Sequence, residues 1–103
     1  MDTSLLETSL SSAASRLHGT AGDEIPTREL IQELHVCEQE LVAKRFVRSR
    51  DQFGSIRVLR VPGIESALIH VSKALTDLKG SSVDGARSNI EDAIEDLAGV
   101  GTA

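Results

Sequence analysis

The sequence predicts a mainly α-helical single domain (residues 1–103) with a short β element near 46–61 and a C-terminal antiparallel helical hairpin. The 103 residues match the usual length of one domain. Only 2% of them are aromatic, so the core must be aliphatic, which suits packed helices better than a β-sandwich or barrel. Apolar residues also recur at helical spacing in several long stretches, which indicates amphipathic helices.

The first two helices follow from this spacing and from the residues that interrupt it. Leucines and alanines at helical spacing predict a helix over about residues 4–18. The stretch HGTAGDEIP (18–26) should end it, because glycine and proline interrupt helices. A second helical pattern begins after this stretch.

Residues 30–47 allow two interpretations. On one continuous helix, Leu30, Leu34, Cys37 and Leu41 form a single apolar row, and Val36 faces solvent. With a sharp turn at His35-Val36, the same residues form two short helices, one over about 28–34 and one beginning near Cys37. Val36 would then lie in the core where the two helices cross. Both interpretations fit the pattern.

The second half of the chain predicts a strand-rich segment followed by two helices. Ile56, Val58, Leu59 and Val61 favour a short strand or hairpin, with a turn at Gly54. An apolar stripe from 64 to 78 predicts the third helix, and another over about 84–98 predicts the fourth. The short link between them predicts an antiparallel hairpin (64–98). The last residues, GVGTA, are expected to fray.

Charge is distributed unevenly along the chain. The net charge of −5 speaks against a general affinity for nucleic acid. Residues 44–60, however, contain six lysines and arginines and a single acid, whereas residues 1–43 contain eight acids and two bases. Such a basic segment can face phosphates, or it can face acidic protein surfaces, including those of the chain itself or of a partner.

With the turn placed at His35-Val36, residues 4–61 resemble a winged helix-turn-helix DNA-binding domain. The stretch IPTREL opens a helix, Leu34 closes it, Val36 lies in the turn, and Leu41 follows four residues after Cys37. A helix precedes this motif, and a basic, β-rich segment follows where a wing would lie. The resemblance implies that the second helix of the motif enters the major groove and that the wing contacts flanking phosphates.

The resemblance therefore implies a small, non-catalytic DNA-binding regulator of double-stranded DNA. Gln39 and Ala43 would face base edges. The cations of the basic segment would contact the backbone: Lys44, Arg45, Arg48, Arg50, Arg57 and Arg60. The C-terminal helices would pair two protomers through an apolar seam of Leu68, Val71, Leu75, Ile90 and Ile94. The alternative is a helical adaptor, chaperone or inhibitor that binds a protein partner through the basic segment or these helices.

The sequence predicts neither an enzyme nor a cofactor-binding or metal-binding protein. Cys37 lacks the context of a nucleophile, and the acids near the C-terminus have no histidine within one helical turn. No stretch approaches the ~20 apolar residues of a membrane span. With one cysteine and no secretory signal, a soluble cytoplasmic protein is expected.

Overall fold

The computed structural model describes residues 3–18, 27–80 and 82–102. Within these ranges the chain forms four helices and one β-hairpin, which confirms a mainly helical domain with a short β element. The elements are α1 (Ser4–His18), α2 (Thr27–Lys44), β1 (Phe46–Arg50), β2 (Ile56–Arg60), α3 (Pro62–Lys79) and α4 (Val83–Thr102). Apart from His18, the predicted break at 18–26 lies outside the described residues.

Helices α3 and α4 form the predicted antiparallel hairpin. Near their connection, the amide of Asn89 donates a hydrogen bond to the Asp77 carboxylate over 2.8 Å. At the opposite end, Gly63 of α3 lies against the side chain of Val100 of α4. Contacts at both ends therefore hold the two helices side by side over most of their length.

Helices α1 and α2 complete a bundle in which successive helices alternate in direction. The Thr3 hydroxyl, just before α1, donates to the carbonyl of Leu97 near the end of α4 (3.5 Å). Arg16 and Glu33 form an ion pair (2.9 Å) between the last turns of α1 and the early turns of α2. Helix α1 packs against α4 and α2 packs against α3, whereas α1 and α2 have the least extensive contact among helices that are neighbours in the bundle.

The core is aliphatic, as the lack of aromatic residues predicts. Leucines of α1 and α2 face the small residues and branched side chains of α3 and α4. The fully buried side chains with the largest volumes are Leu10, Leu30, Leu34, Leu41, Ile64, Val71, Ile90 and Leu97. Both Phe46 and Phe53 lie outside this core.

Helix α2 is continuous through His35-Val36, so the interpretation with a sharp turn at this point is wrong. The His35 ring lies 3.3 Å from Glu38 and 3.4 Å from Gln39, contacts that require helical spacing. Val36 is 52% exposed instead of buried. The physical reason is that Leu30, Leu34, Cys37 and Leu41 already share one buried face of an unbroken helix. The winged-helix resemblance depended on that turn.

The end of the chain also differs from expectation, because α4 continues to Thr102 instead of fraying after residue 98. The half-buried Val100 packs against the core, and its side chain contacts Gly63. A Cβ atom at position 63 would collide with Val100 and lie 3.2 Å from the carbonyl oxygen of Asp96. The glycine thus permits the close approach that holds the last turns of α4 in place.

The unbroken α2 makes a prediction about position 35. In a helix interior, glycine costs roughly 0.5–1 kcal/mol relative to alanine. In a left-handed turn glycine is instead more favourable than alanine, because a Cβ atom is sterically unfavourable in that conformation. We therefore expect the His35→Gly variant to be less stable than the His35→Ala variant by about 1 kcal/mol in urea unfolding. Greater stability of the glycine variant would contradict a continuous helix.

Candidate interaction surface

The most exposed element of the structure is the β-hairpin between α2 and α3, which we call the arm (residues 46–60). Strands β1 and β2 pair with each other antiparallel, and every residue of both strands is exposed. Neither face is covered by a helix. The molecule measures 58 Å along its longest axis, whereas its longest helix of 20 residues spans only ~30 Å. The arm thus extends beyond the bundle.

A tight turn at Asp51–Ser55 fixes the tip of the arm. The Asp51 carboxylate accepts hydrogen bonds from the backbone N–H groups of Phe53 and Ser55, each over 2.9 Å. Gly54 has a φ of 82°, a left-handed conformation that glycine adopts without cost. At the base, the Val61 N–H donates to the Arg45 carbonyl over 3.0 Å. These bonds preorganise the tip and hold Phe53 outward, 83% exposed.

The strand register places arginines and apolar residues side by side on one face of the arm. Residues directly opposite each other in an antiparallel pair share a face. Arg48 lies opposite Val58, and Arg50 lies opposite Ile56. Phe46 lies opposite Arg60 at the base of the same face. We call these six residues the mixed face. The aliphatic part of each arginine can cover its apolar neighbour while the guanidinium stays in water.

The opposite face of the arm is smaller and contains fewer charges. Val47 lies opposite Leu59, and Ser49 lies opposite Arg57. Arg57 is the single cation on this face. Leu59 is exposed here, as Ile56 and Val58 are on the mixed face. Apolar side chains therefore reach solvent on both faces of the arm.

The cations predicted to contact phosphates fall into two groups. Arg48, Arg50 and Arg57 are exposed and form no ion pair within the described part of the chain. Arg60 instead lies 3.7 Å from Glu65 of α3. Arg45 lies half-buried at the junction, with its guanidinium 4.7 Å from the centre of the Phe46 ring. A free basic surface is therefore concentrated on the arm.

The remaining predicted nucleic-acid contacts lie on or beside α2. Gln39 and Ala43 are exposed and are four residues apart, so they share one surface of the helix. Gln39 lies within hydrogen-bond distance of the His35 ring at 3.4 Å. Lys44 is half-buried at the last residue of α2. Because the helix does not break, this surface is the side of a long helix and not the start of a separate recognition helix.

The apolar seam predicted to pair two protomers is used within the single chain instead. Val71 and Ile90 are fully buried, and Leu75 is nearly so. Leu68 and Ile94 are half-buried and pack against the same core. These side chains fill the space between α3 and the other helices, because a four-helix bundle of this size needs them there. Val71, Leu75 and Ile90 therefore face the core of their own chain, whereas Leu68 and Ile94 remain partly exposed.

His70 of α3 contacts two of the acids near the C-terminus. Its Nδ1 atom lies 2.9 Å from an Asp96 carboxylate oxygen on α4, and Nε2 lies 3.9 Å from Asp92. The sequence showed no histidine within one helical turn of these acids, and their proximity to His70 depends on how α3 and α4 are packed. The contact links the two helices and forms no catalytic arrangement with a nucleophile.

A groove of about 560 Å³ lies between α1 and α2, where the bundle is least closely packed. Leu6 and Cys37 form its buried floor, and the exposed Leu5 and Val36 flank it. Its remaining lining is polar on α1 and acidic on α2: Thr8, Ser9, Ser12, Glu29, Gln32, Glu33 and Glu40. No pattern in the sequence predicted this groove, because the distance between two helices is not encoded in the periodicity of either.

Comparison with protein-family models, curated proteins and solved structures finds no significant match to this chain. Within the described residues, none of the helices has the length and apolar content needed to cross a membrane. Histidine, cysteine and carboxylate side chains in the same ranges form no group of three or more that could hold a metal ion. Among the exposed surfaces of the described residues, the arm combines arginines without ion pairs with apolar side chains, and the groove combines carboxylates with apolar side chains.

Cys37 is expected to be a poor nucleophile. Burial in the floor of the groove, together with the negative charges of Glu40 and Glu33, raises the pKa of its thiol from 9.0 to about 11. The thiolate fraction near neutral pH is then about 100-fold lower than for an ordinary cysteine. Alkylation by iodoacetamide should accelerate with pH up to about 11. Restricted access alone would slow alkylation equally at every pH. The midpoint of the rise in alkylation rate with pH would then stay near 9.0.

Proposed function

We propose that this chain is a non-catalytic interaction protein whose arm docks onto an acidic, partly apolar surface of a protein partner. The observation that supports this most strongly is the composition of the exposed arm. Large apolar side chains and unpaired arginines alternate on a preorganised hairpin that nothing in the described chain covers. The free cysteine fits action in a reducing compartment such as the cytoplasm.

The cost of exposing these side chains supports a docking role. An isolated two-stranded hairpin is only marginally stable in water, because it has no layer to pack against. Contiguous exposed apolar residues on a soluble protein commonly mark interaction sites. Phe53 at the tip and Val58 on the mixed face are 83% and 60% exposed. A partner that covered them would remove apolar area from water and stabilise the hairpin at the same time.

The arginines favour a protein partner that is acidic. Arginine and aromatic residues are enriched at protein interfaces, where the guanidinium forms bidentate pairs with carboxylates. Arg48 and Arg50 have no carboxylate partner in the described chain, and each lies opposite an apolar residue. A complementary surface must therefore provide carboxylates and apolar contacts at alternating positions. Phosphate alone would leave the apolar half of the arm exposed.

DNA binding is the second candidate, and one observation favours it. Arg48, Arg50 and Arg57 lie unpaired on a two-stranded ribbon, and such a ribbon can enter the major groove of DNA. On this proposal Gln39 and Ala43 would lie beside the DNA and Lys44 near the backbone. The net charge of −5 and the apolar composition of the arm make this the weaker proposal.

Photo-cross-linking from the tip of the arm tests the favoured function. A benzoylphenylalanine introduced in place of Phe53 should give a covalent protein adduct in cells that make the protein naturally. The same group at the exposed Ser88 of α4 is the matched control and should not give this adduct. Replacing two arginines, Arg48→Glu and Arg50→Glu, should lower the yield at least about tenfold by removing the charge pairing.

This experiment contradicts the proposed function if position 53 yields no protein adduct. The same conclusion follows if position 88 gives the identical adduct, or if reversing the two arginines leaves the yield unchanged. Far-ultraviolet circular dichroism of each variant shows whether the bundle is intact. Because both arginines are exposed and lie outside the helices, their replacement should leave the helical signal unchanged.

Titration with mixed-sequence duplex DNA at low salt tests the second candidate. Under the favoured function, fluorescence anisotropy of labelled DNA should not change up to tens of micromolar protein, a range in which non-specific DNA binding is normally visible. If binding is seen, Arg48→Ala and Arg57→Ala should each reduce the slope of log affinity against log salt concentration by roughly one, because each removes one phosphate contact. That result would replace the protein-docking proposal with DNA binding.

A further inference from the structure

We propose that the partner of the arm is a second copy of this chain, and that the arm of each copy lies in the groove between α1 and α2 of the other. This inference rests on the proposed function, since it names the acidic, partly apolar surface that the arm requires. Both surfaces belong to one molecule, and no described residue covers either of them. Their chemistry, dimensions and placement lead to this assignment.

The groove provides the kind of surface that the mixed face requires. Leu5 is 81% exposed and Val36 is 52% exposed, so they offer apolar area beside the floor of the groove. Glu29 and Glu40 line its α2 side and form no ion pair within the part of the chain that the structure describes. The groove thus has free carboxylates beside apolar side chains, as the arm has free arginines beside apolar side chains.

The α1 side of the groove is suited to an approaching strand. Thr8, Ser9 and Ser12 are small hydroxyl residues, so a backbone can come close without displacing long side chains. Their hydroxyl groups can donate to or accept from the free edge of a β-strand. Both outer edges of the arm have unpaired backbone groups, since the sheet has only two strands. This α1 wall therefore offers those backbone groups polar partners.

The dimensions of the two surfaces agree. Glu40 follows Glu29 by three helical turns, which corresponds to ~16 Å along α2. A five-residue strand of the arm extends for ~13 Å from its first to its last Cα atom, and the long arginine side chains reach further. One strand can therefore lie along the groove with the arginines of the mixed face within reach of both free glutamates. Contact at both ends would fix the position of the arm along the groove.

The geometry makes this contact intermolecular and reciprocal. The arm leaves the bundle where α2 ends and extends away from it, so it cannot fold back into its own groove without losing the Val61–Arg45 bond at its base. Two copies with opposite orientations can each insert an arm into the other, which gives a closed twofold dimer. Reciprocal exchange also doubles the interface, toward the roughly 1,200–2,000 Å² of stable complexes.

Charge exchange between matched variants tests the proposal. Arg48→Glu with Arg50→Glu makes an arm variant, and Glu29→Lys with Glu40→Lys makes a groove variant. Glu91→Lys with Glu95→Lys is the control, because it reverses two exposed carboxylates on the outer face of α4. Sedimentation velocity from about 1 µM to about 1 mM measures self-association, since this range covers weak and moderate dimers. Circular dichroism checks that each variant is folded.

We expect the unsubstituted protein and the control to dimerise, with an affinity that falls as salt is added. The arm variant and the groove variant should each dimerise at least about tenfold more weakly, because like charges then meet in both halves of the interface. An equimolar mixture of these two variants should regain association. The basic groove of one then receives the acidic arm of the other, and the second contact is unaltered.

Four results would overturn this inference: a monomer at every concentration, a dimer that neither variant weakens, a mixture that fails to regain association, or growth of the mass beyond that of a dimer. The last result would exclude the reciprocal arrangement. A monomer would still leave the proposed function intact if position 53 cross-links to a different protein. Loss of the arm-specific cross-link altogether would instead remove both proposals.

Discussion

The close packing of α3 against α4 is the constraint on which the remaining structure depends. Small residues on both helices make it possible, with Ala67 and Ala74 on one side and Ala86 and Ala93 on the other, all fully buried. Because these side chains are short, the two backbones approach closely, and the leucines of α1 and α2 can fill the remaining space. A core without aromatic side chains reaches dense packing through this combination of small and branched residues.

This core leaves no place for the arm. The helices pair their apolar faces with one another, and the two described phenylalanines remain at or beyond the end of the bundle. The arm consequently exposes apolar residues on both faces and is held together by its strand pairing, its turn and the bond at its base. The leucines that fill the core belong to the helices, whereas the exposed Phe53 and Ile56 belong to the arm. The elements that stabilise the fold are therefore distinct from the element available for binding.

The same separation applies to charge. Arginines are concentrated on the arm, whereas the α2 side of the groove carries glutamates. Within the described residues, Arg60 is the one arginine of the arm that pairs with a carboxylate of the bundle, and its distance of 3.7 Å from the half-buried Glu65 corresponds to a weak interaction. The arm and the groove therefore retain opposite charges that the described residues do not neutralise. Such complementarity favours specific orientation and rapid encounter more than raw affinity.

The sequence by itself determined the helical class, the two C-terminal helices and the β element, because each depends on a local period or a local turn residue. It also placed the basic segment at residues 44–60. It left open whether α2 breaks at His35, since the apolar row of Leu30, Leu34 and Cys37 fits both a continuous helix and a pair of short ones. Packing of that entire row against the other helices decided for the continuous helix.

The binding surfaces depended on tertiary structure. The strand pattern of Ile56 and Val58 predicted a hairpin, but not that both of its faces would remain exposed. The seam of Val71 and Ile90 was predicted to meet a second protomer, and the structure uses it inside one chain. Hydrophobic periodicity predicts which side of a helix or strand is apolar, but it does not predict which other element packs against that side. Only the arrangement of all four helices determines which apolar residues are buried and which, with the arginines beside them, are left for a partner.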